Sequence, residues 1–331
     1  MISAWLVFIA LLLALLLFLC AGVVFGMANM LLKPERMTDG RATYVLQRLS
    51  PGDLGLPFEE VAFEVRDAAP RPGSGRASGG GKLKVKGWWI PSRGRTGKCV
   101  VALHGYRDAK VGAIAWAPTF HSLGYGVLAL DLRAHGESGG AHSTAGFFER
   151  HDVGDVINQF RANHPGESQS VILFGVSLGA AVAAAVAAQR DDIDGVILES
   201  PFADYRGAIA AHAEILGQPG GFLQELGVRL AQRMSGADFD AVRPVDLIPQ
   251  IRAPLMIILA GDDPFVPARD VRRIDEAAQA RPADRVTVVW HVQEAPHVQA
   301  LSADPVAYRG KVAEFLEAPE GAVLVPSPGR R

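Results

Sequence analysis

Val171-Ile172-Leu173-Phe174-Gly175-Val176-Ser177-Leu178-Gly179 is followed at once by Ala180-Ala181-Val182-Ala183-Ala184-Ala185-Val186-Ala187-Ala188. The first part is a short apolar run rich in β-branched residues, which reads as a buried strand. The Ala-rich part reads as a helix packed closely on a sheet. Between them lies Gly-x-Ser-x-Gly. A chain passing from strand to helix within a few residues bends so sharply that only glycine leaves room on either side. The serine at the apex is then held strained, its hydroxyl exposed above the sheet. A small-residue turn between core elements would satisfy the five residues by themselves. The strand before them and the helix after them favour a nucleophile, Ser177.

Similar apolar runs recur at 99–103, 125–130, 195–198, 255–259 and 286–290. Helix-like segments at 113–123, 147–163, 178–189 and 305–316 separate them. Apolar strands alternating with helices predict an α/β chain built on a doubly wound, mostly parallel sheet. Two alternating stretches in front, 58–65 and 83–90, would form its antiparallel edge. Between these two, residues 68–81 carry Pro70, Pro72 and a run of glycines and serines, which predicts a flexible hairpin tip.

A serine hydroxyl is a poor nucleophile until a base takes its proton, and that base needs a third group to fix its tautomer. In this architecture the partners follow in the order Ser, acid, His, on loops after later strands. The run at 255–259 leads into Ala260-Gly261-Asp262-Asp263-Pro264, so Asp262 and Asp263 are both candidates. Asp263 precedes proline, which biases it towards extended backbone, and it is preferred. Asp262 suits a turn-capping role better. Glu199, at the end of the strand after the nucleophile strand, is a third candidate acid. Of nine histidines, His297 stands in the loop beyond the last strand, where the base is required, whereas His291 continues Val288-Val289-Trp290 as a strand residue. Two backbone N–H groups are expected to form the oxyanion hole, those of Tyr106, after the 99–103 strand, and of Leu178. His104 is expected to be a hydrogen-bonding strut.

Composition narrows the class. The 331 residues are 49% hydrophobic, enough for a large core, and the formal net charge of −2 gives no electrostatic footprint for nucleic acid. The two cysteines, Cys20 and Cys99, are no disulfide framework, and no Cys/His cluster has zinc-like spacing. No cofactor or metal enters the reading.

Between Ile2 and Leu32 there is no Asp, Glu, Lys, Arg or His. Wholly helical at ~1.5 Å per residue, this run would reach about 46 Å, beyond the ~30 Å hydrocarbon core, so part of it should tilt or emerge. A cleaved signal peptide would have Lys or Arg before a much shorter apolar region. Residues 1–32 are therefore read as an uncleaved single-pass transmembrane anchor. Gly22 and Gly26 have a GxxxG spacing, a weak helix-pairing pattern. Lys33, Arg36, Arg41 and Arg48 follow the anchor, and by the positive-inside rule the C-terminal domain faces the cytoplasm. Residues 33–57, with Pro34, Pro51 and Pro57, are expected to be a polar stem, 58–318 the globular domain and 319–331 a flexible tail.

Gly175-Val176-Ser177-Leu178-Gly179, His104-Gly105-Tyr106, Asp131-Leu132-Arg133-Ala134-His135-Gly136-Glu137-Ser138 and Asp263-x-x-Val266-Pro267 with His297 together resemble the α/β-hydrolase superfamily. Gly87-Trp88-Trp89-Ile90-Pro91 and Glu199-Ser200-Pro201-Phe202-Ala203 narrow the resemblance to bacterial membrane-anchored members of the monoacylglycerol-lipase and serine-aminopeptidase group. It covers residues 55–318 and implies the α/β-hydrolase fold. It also implies a triad of Ser177, Asp263 and His297, with Tyr106 and Leu178 as oxyanion donors. Two departures stand out. Ala134 replaces the glycine usual in Arg-Gly-His-Gly, and Gln293-Glu294-Ala295-Pro296 stands where relatives often carry a glycine-bearing turn.

Residues 203–250 leave the sheet, with helix-like stretches at 205–216 and 221–234 whose apolar content predicts a small helical lid over Ser177. Ordinary flanking helices are the alternative. An apolar pocket suits an acyl chain. No carboxylate pair or Arg cluster marks recognition of a free amino or phosphate group. The expected activity is hydrolysis of a small-molecule carboxylic ester or thioester through an acyl-enzyme. The competing readings are a serine peptidase of aminopeptidase type and a non-catalytic, membrane-tethered binding protein.

Overall fold

The computed structural model describes residues 2–69 and 81–317. The interior of the expected hairpin tip and the 319–331 tail lie outside the described residues. In chain order the main elements are α1 (Ile2–Leu32), α2 (Asp39–Leu46), β1 (Glu59–Asp67), β2 (Gly81–Ile90), β3 (Lys98–Leu103), α3 (Ala117–Ser122), β4 (Gly126–Leu130) and α4 (Glu149–Asn163). Then come β5 (Ser170–Val176), α5 (Leu178–Ala187), β6 (Gly195–Glu199), α6 (Tyr205–Ile215), α7 (Phe222–Ser235), β7 (Leu255–Ala260), α8 (Ala268–Gln279), β8 (Thr287–Val292) and α9 (Pro305–Glu317).

The strands form one eight-stranded sheet in the order β1-β2-β4-β3-β5-β6-β7-β8. The pairs β1–β2 and β2–β4 are antiparallel, and every pair from β4–β3 to β7–β8 is parallel. This is the doubly wound sheet with an antiparallel edge that the hydrophobic pattern predicts. Covered strands read as unbroken apolar runs because helices bury both of their faces. The period of two then sends neighbouring residues to opposite layers. Val101 and Leu173 pack with Val153 and Phe160 of α4 and the alanines of α5. Val100, Ile172 and Phe174 pack with Phe120 of α3 and with Tyr308 and Val312 of α9. At the edge, β1 buries only Phe63 and Val65 on one face.

Three segments depart from expectation. The helix expected over 113–123 is broken into a short turn, a 3-10 segment at Ile114–Trp116 and α3. Pro118 lacks the N–H that a continuous helix would use there, and it starts a new helix instead. The second is the amphipathic helix α8, which the apolar pattern does not mark. The third is the expected stem, which lies against the domain. Ala42 and Leu56 join the core on the α3/α9 side. The Arg36 guanidinium donates to the carbonyls of Gly136 at 2.7 Å and Ser138 at 2.6 Å.

The long helix α1 is also of two kinds. From Ala4 to Leu19 it is exposed throughout, whereas Ala28 and Leu32 near its end are fully buried with Val228 and Ala231 of α7. The two helices cross closely at Gly227, where a Cβ would lie 3.0 Å from Met27 Cβ. By contrast, nothing lies within 4 Å of the Cβ positions of Gly22 and Gly26.

Candidate active site

Ser177 sits between β5 and α5 with φ 52° and ψ −113°, a conformation L-residues rarely adopt. The surrounding glycines show what holds it there. A Cβ on Gly175 would lie 2.2 Å from the Gly179 carbonyl oxygen, and one on Gly179 would lie 2.2 Å from that of Leu103. Neither site admits a larger residue without moving a strand. The Ser177 N–H donates to the Glu199 carbonyl at 2.9 Å, which ties the bend to β6.

His297, in the loop after β8, lies with Nε2 3.0 Å from Ser177 Oγ and Nδ1 2.6 Å from Asp263 Oδ2. The Asp263 side chain is buried. Its Oδ1 also accepts the backbone N–H groups of Phe265 at 2.9 Å and Val266 at 3.1 Å. A buried carboxylate held this way accepts a hydrogen bond from Nδ1–H and leaves Nε2 free to accept one from the serine hydroxyl. Hydroxyl, imidazole and carboxylate thus form one chain, an arrangement able to activate the hydroxyl.

The other candidates fall elsewhere. Asp262 is exposed, and its N–H donates to the Ala295 carbonyl of the loop after β8 at 3.0 Å. Glu199 is fully buried and accepts the Tyr308 hydroxyl at 2.7 Å, on the α9 side of the sheet. Burial pushes its carboxyl up to about 7 against the pull of that hydrogen bond. His291 is an exposed β8 residue with Nε2 3.1 Å from Asp275 Oδ1.

The two sequence departures have structural counterparts. Glu294, in the turn before His297, takes φ 60°, the left-handed conformation a glycine would supply, and Ala134 takes the same φ. Beyond the histidine, Val298 has φ 57°, an outlier for a β-branched residue. Its N–H donates to Ser200 Oγ at 3.1 Å, which anchors the loop carrying the histidine.

Among the described residues, the N–H groups of Tyr106 and Leu178 donate to no other protein group. Gly105, beside Tyr106, comes so near the nucleophile that a Cβ there would lie 3.5 Å from Ser177 Cβ. His104 is fully buried, with Nε2 accepting the Leu132 N–H at 3.0 Å and Nδ1 2.7 Å from the Gly105 carbonyl. Burial drives its pKa well below the ordinary imidazole value, so it stays neutral and acts as a strut. The Asp131 carboxylate gathers the Lys110 and Glu137 N–H groups at 2.7 and 2.9 Å and Lys110 Nζ at 2.9 Å. That makes Asp131-Ser138 a structural knot, with His135 packed on the His104 and Tyr106 rings.

A cavity of about 510 Å³ opens over Ser177 and His297. Helix α6 contributes Ala208, Ile209 and His212, and α7 contributes Gln224. The third wall is unforeseen, because Met27, Met30 and Leu31 of α1 line the cavity too. Phe265 and His212 were also missed. Phe265 lies 5.0 Å from the His297 ring and 4.4 Å from the His212 ring, measured between centroids. His212 Nδ1 is 2.8 Å from the Ala208 carbonyl, and burial lowers its pKa. Among the described residues no group of three or more His, Cys, Asp or Glu could hold a metal ion.

Comparison with known proteins places this geometry in context. The family described as serine aminopeptidase, S33, matches residues 94–237. Protein YqkD of Bacillus subtilis is 26% identical over 239 residues, 70% of this chain and 75% of that protein. Lysophosphatidylserine lipase ABHD12 of Macaca fascicularis is 26% identical over 268 residues, 73% of this chain but 62% of the lipase, less than two thirds of its length. The Pyrococcus furiosus esterase Pf2001 superposes with a TM-score of 0.67 at 24% identity, covering 88% of this chain and 99% of the esterase.

Proposed function

We propose, from the premise that this chain has the α/β-hydrolase fold, that it is a serine hydrolase of carboxylic esters or thioesters. The observation that carries the reading is the unbroken hydrogen-bonded chain from Ser177 through His297 to Asp263. In this reading Ser177 Oγ attacks the acyl carbonyl while His297 Nε2 takes its proton. Asp263 holds the imidazole in the required tautomer and stabilises the imidazolium. The free N–H groups of Tyr106 and Leu178 receive the developing oxyanion. His297 then returns the proton to the departing alcohol or thiol, and water repeats the sequence on the acyl-enzyme. The mostly apolar cavity is the acyl site, with α6 and α7 as a lid.

The names of the esterase and of the lysophosphatidylserine lipase support the ester reading by likeness. The serine aminopeptidase family match favours a second one, cleavage at a peptide amino terminus. Against it, among the described residues no acidic side chain lines the cavity except Asp108, which accepts the Ala109 N–H at 2.8 Å. The anchor is part of the proposal: one helix, Ala4–Leu32, is long and apolar enough to cross a membrane. The charges after it orient the domain to the cytoplasm in this reading.

The test is turnover of p-nitrophenyl esters against aminoacyl p-nitroanilides, with fluorophosphonate labelling of wild type and Ser177→Ala. Ester turnover and labelling should both vanish in the variant. Anilide turnover in excess of ester turnover would move the assignment to the peptidase. A folded wild type that neither labels nor turns over would leave a binding protein.

A further inference from the structure

Helix α1 changes character along its length. From Ala4 to Val23 nearly every residue is exposed and apolar, and burial begins at Val24. About 20 residues at ~1.5 Å each make ~30 Å, the thickness of the hydrocarbon core. The excess length of this helix is therefore the part that packs on the domain. That packed part also lines the cavity, since Met27, Met30 and Leu31 face it and the Tyr106 hydroxyl donates to the Met30 carbonyl. The cavity wall starts at Met27, about one helical turn beyond Val23, at the level of lipid headgroups when α1 spans a bilayer.

The turn between α6 and α7 runs beside the same helix, with Gln218 Nε2 3.9 Å from Met30 Sδ. It bears Ile215, Leu216 and Phe222, which are 46%, 60% and 76% exposed. Ile215 and Leu216 also belong to the cavity lining. Three large apolar side chains on one exposed turn are costly in water and are favoured in a bilayer interface. A second copy of the chain could cover them as well, but only a bilayer is brought there by the helix itself.

We infer that the α6–α7 turn inserts into the bilayer interface and that, together with the last turns of α1, it forms a lipid-side mouth to the cavity. An ester-bearing amphiphile then reaches Ser177 from the leaflet, its chain sliding along Met27 and Met30, without crossing bulk water. This rests on the hydrolase and anchor readings above, and its test is separable from theirs.

The experiment uses the full chain reconstituted in phosphatidylcholine vesicles. Phe222→Cys, in a Cys20→Ser background, is labelled with an environment-sensitive dye. Strong quenching by lipid spin labels near the glycerol level, and weaker quenching by labels at the bilayer centre, is the expected result. A water-like emission without quenching overturns the proposal. So does shielding that depends on protein concentration in detergent, which would reveal a second copy. In parallel, Phe222→Asp should leave p-nitrophenyl acetate turnover unchanged and lower the rate on a vesicle-embedded long-chain monoacyl ester about tenfold, the loss of one buried aromatic contact. Equal rates for variant and wild type on the embedded ester, or equal losses on both substrates, overturn it. Absence of all Ser177-dependent turnover would sink the hydrolase reading while the quenching result still decides this one.

Discussion

Asp263 and His297 approach to 2.6 Å between Oδ2 and Nδ1, and the same carboxylate is pinned on its other oxygen by two backbone N–H groups. This double hold selects the tautomer with its proton on Nδ1. Asp263→Asn offers an amide N–H to the ring instead, and the imidazole turns or takes the other tautomer. Turnover should fall by up to ~10⁴, as for the equivalent change in a serine protease, with the fold intact. Asp262→Asn, at an exposed position, should stay within a few-fold of wild type. Side-by-side kcat values on one p-nitrophenyl ester check this. An Asp263→Asn enzyme of near-normal turnover would remove Asp263 from the mechanism.

Glu199 predicts a pH dependence of stability rather than of chemistry. Burial raises its carboxyl from the ordinary 4.5 to about 7. The folded state thus holds the proton more tightly than the unfolded chain. The contribution is fully present below pH 4.5 and is lost as pH rises towards 7. The ceiling is about 3 kcal/mol for this single site. Glu199→Gln keeps an acceptor for the Tyr308 hydroxyl without a charge to desolvate. It should be more stable than wild type above pH 7 and similar to it near pH 4.5, with turnover little changed. Urea unfolding at pH 5 and pH 8 reads the difference. Parallel pH curves for the two proteins would mean that Glu199 is not raised.

How far the sequence revealed all this depends on how distinctive each pattern is. β5 and β7 stand out because strands covered on both faces are uninterrupted apolar runs, and the nucleophile bend stands out because its glycines have no substitute. The alternation in 58–65 likewise marks an edge strand with one face in water, whereas in 83–90 it ends at Lys86, beyond which Trp88, Trp89 and Ile90 are all buried. Helix α8 is hidden because charged residues crowd it, and its buried stripe is little more than Ile274, Ala277 and Ala278. The α1 wall is illegible for a deeper reason. Met27 and Leu31 look the same to a hydropathy reading whether lipid or α7 covers them. His212 and Phe265 carry no motif; only the fold brings them to His297.

Ala134 tests the cost of a left-handed alanine. Its φ of 60° costs about 1–2 kcal/mol relative to a glycine in the same place. A glycine gives back about 0.4–1 kcal/mol through the freer unfolded chain. The first effect is the larger, so Ala134→Gly should stabilise by up to about 1 kcal/mol. Its N–H bond to the Gly139 carbonyl, 2.8 Å long, is kept. Chemical denaturation of the two proteins at neutral pH measures it. A destabilised variant would show that the turn holds Ala134 without strain.

The crossing of α1 and α7 can be probed at Gly227, where two effects oppose each other. A glycine inside a helix costs about 1 kcal/mol relative to alanine, so Gly227→Ala gains in propensity. The new Cβ, however, would stand 3.0 Å from Met27 Cβ, and the α1 backbone is close behind, with the Val24 carbonyl oxygen at 3.6 Å. A methyl group at that distance needs a shift of a few tenths of an ångström, and the two terms nearly cancel. Gly227→Leu has no such balance. Its branched end must drive α1 off α7, exposing Val228 and Ala231 and overpacking the contact, at about 1–3 kcal/mol. Because Met27 and Leu31 line the cavity, the displacement should also raise KM for a long-chain ester more than for an acetate ester. Thermal unfolding of the full chain in detergent, with KM on both esters, distinguishes the outcomes. If Gly227→Leu unfolds like wild type and leaves both KM values unchanged, α1 does not pack on α7 as described and contributes nothing to the acyl site.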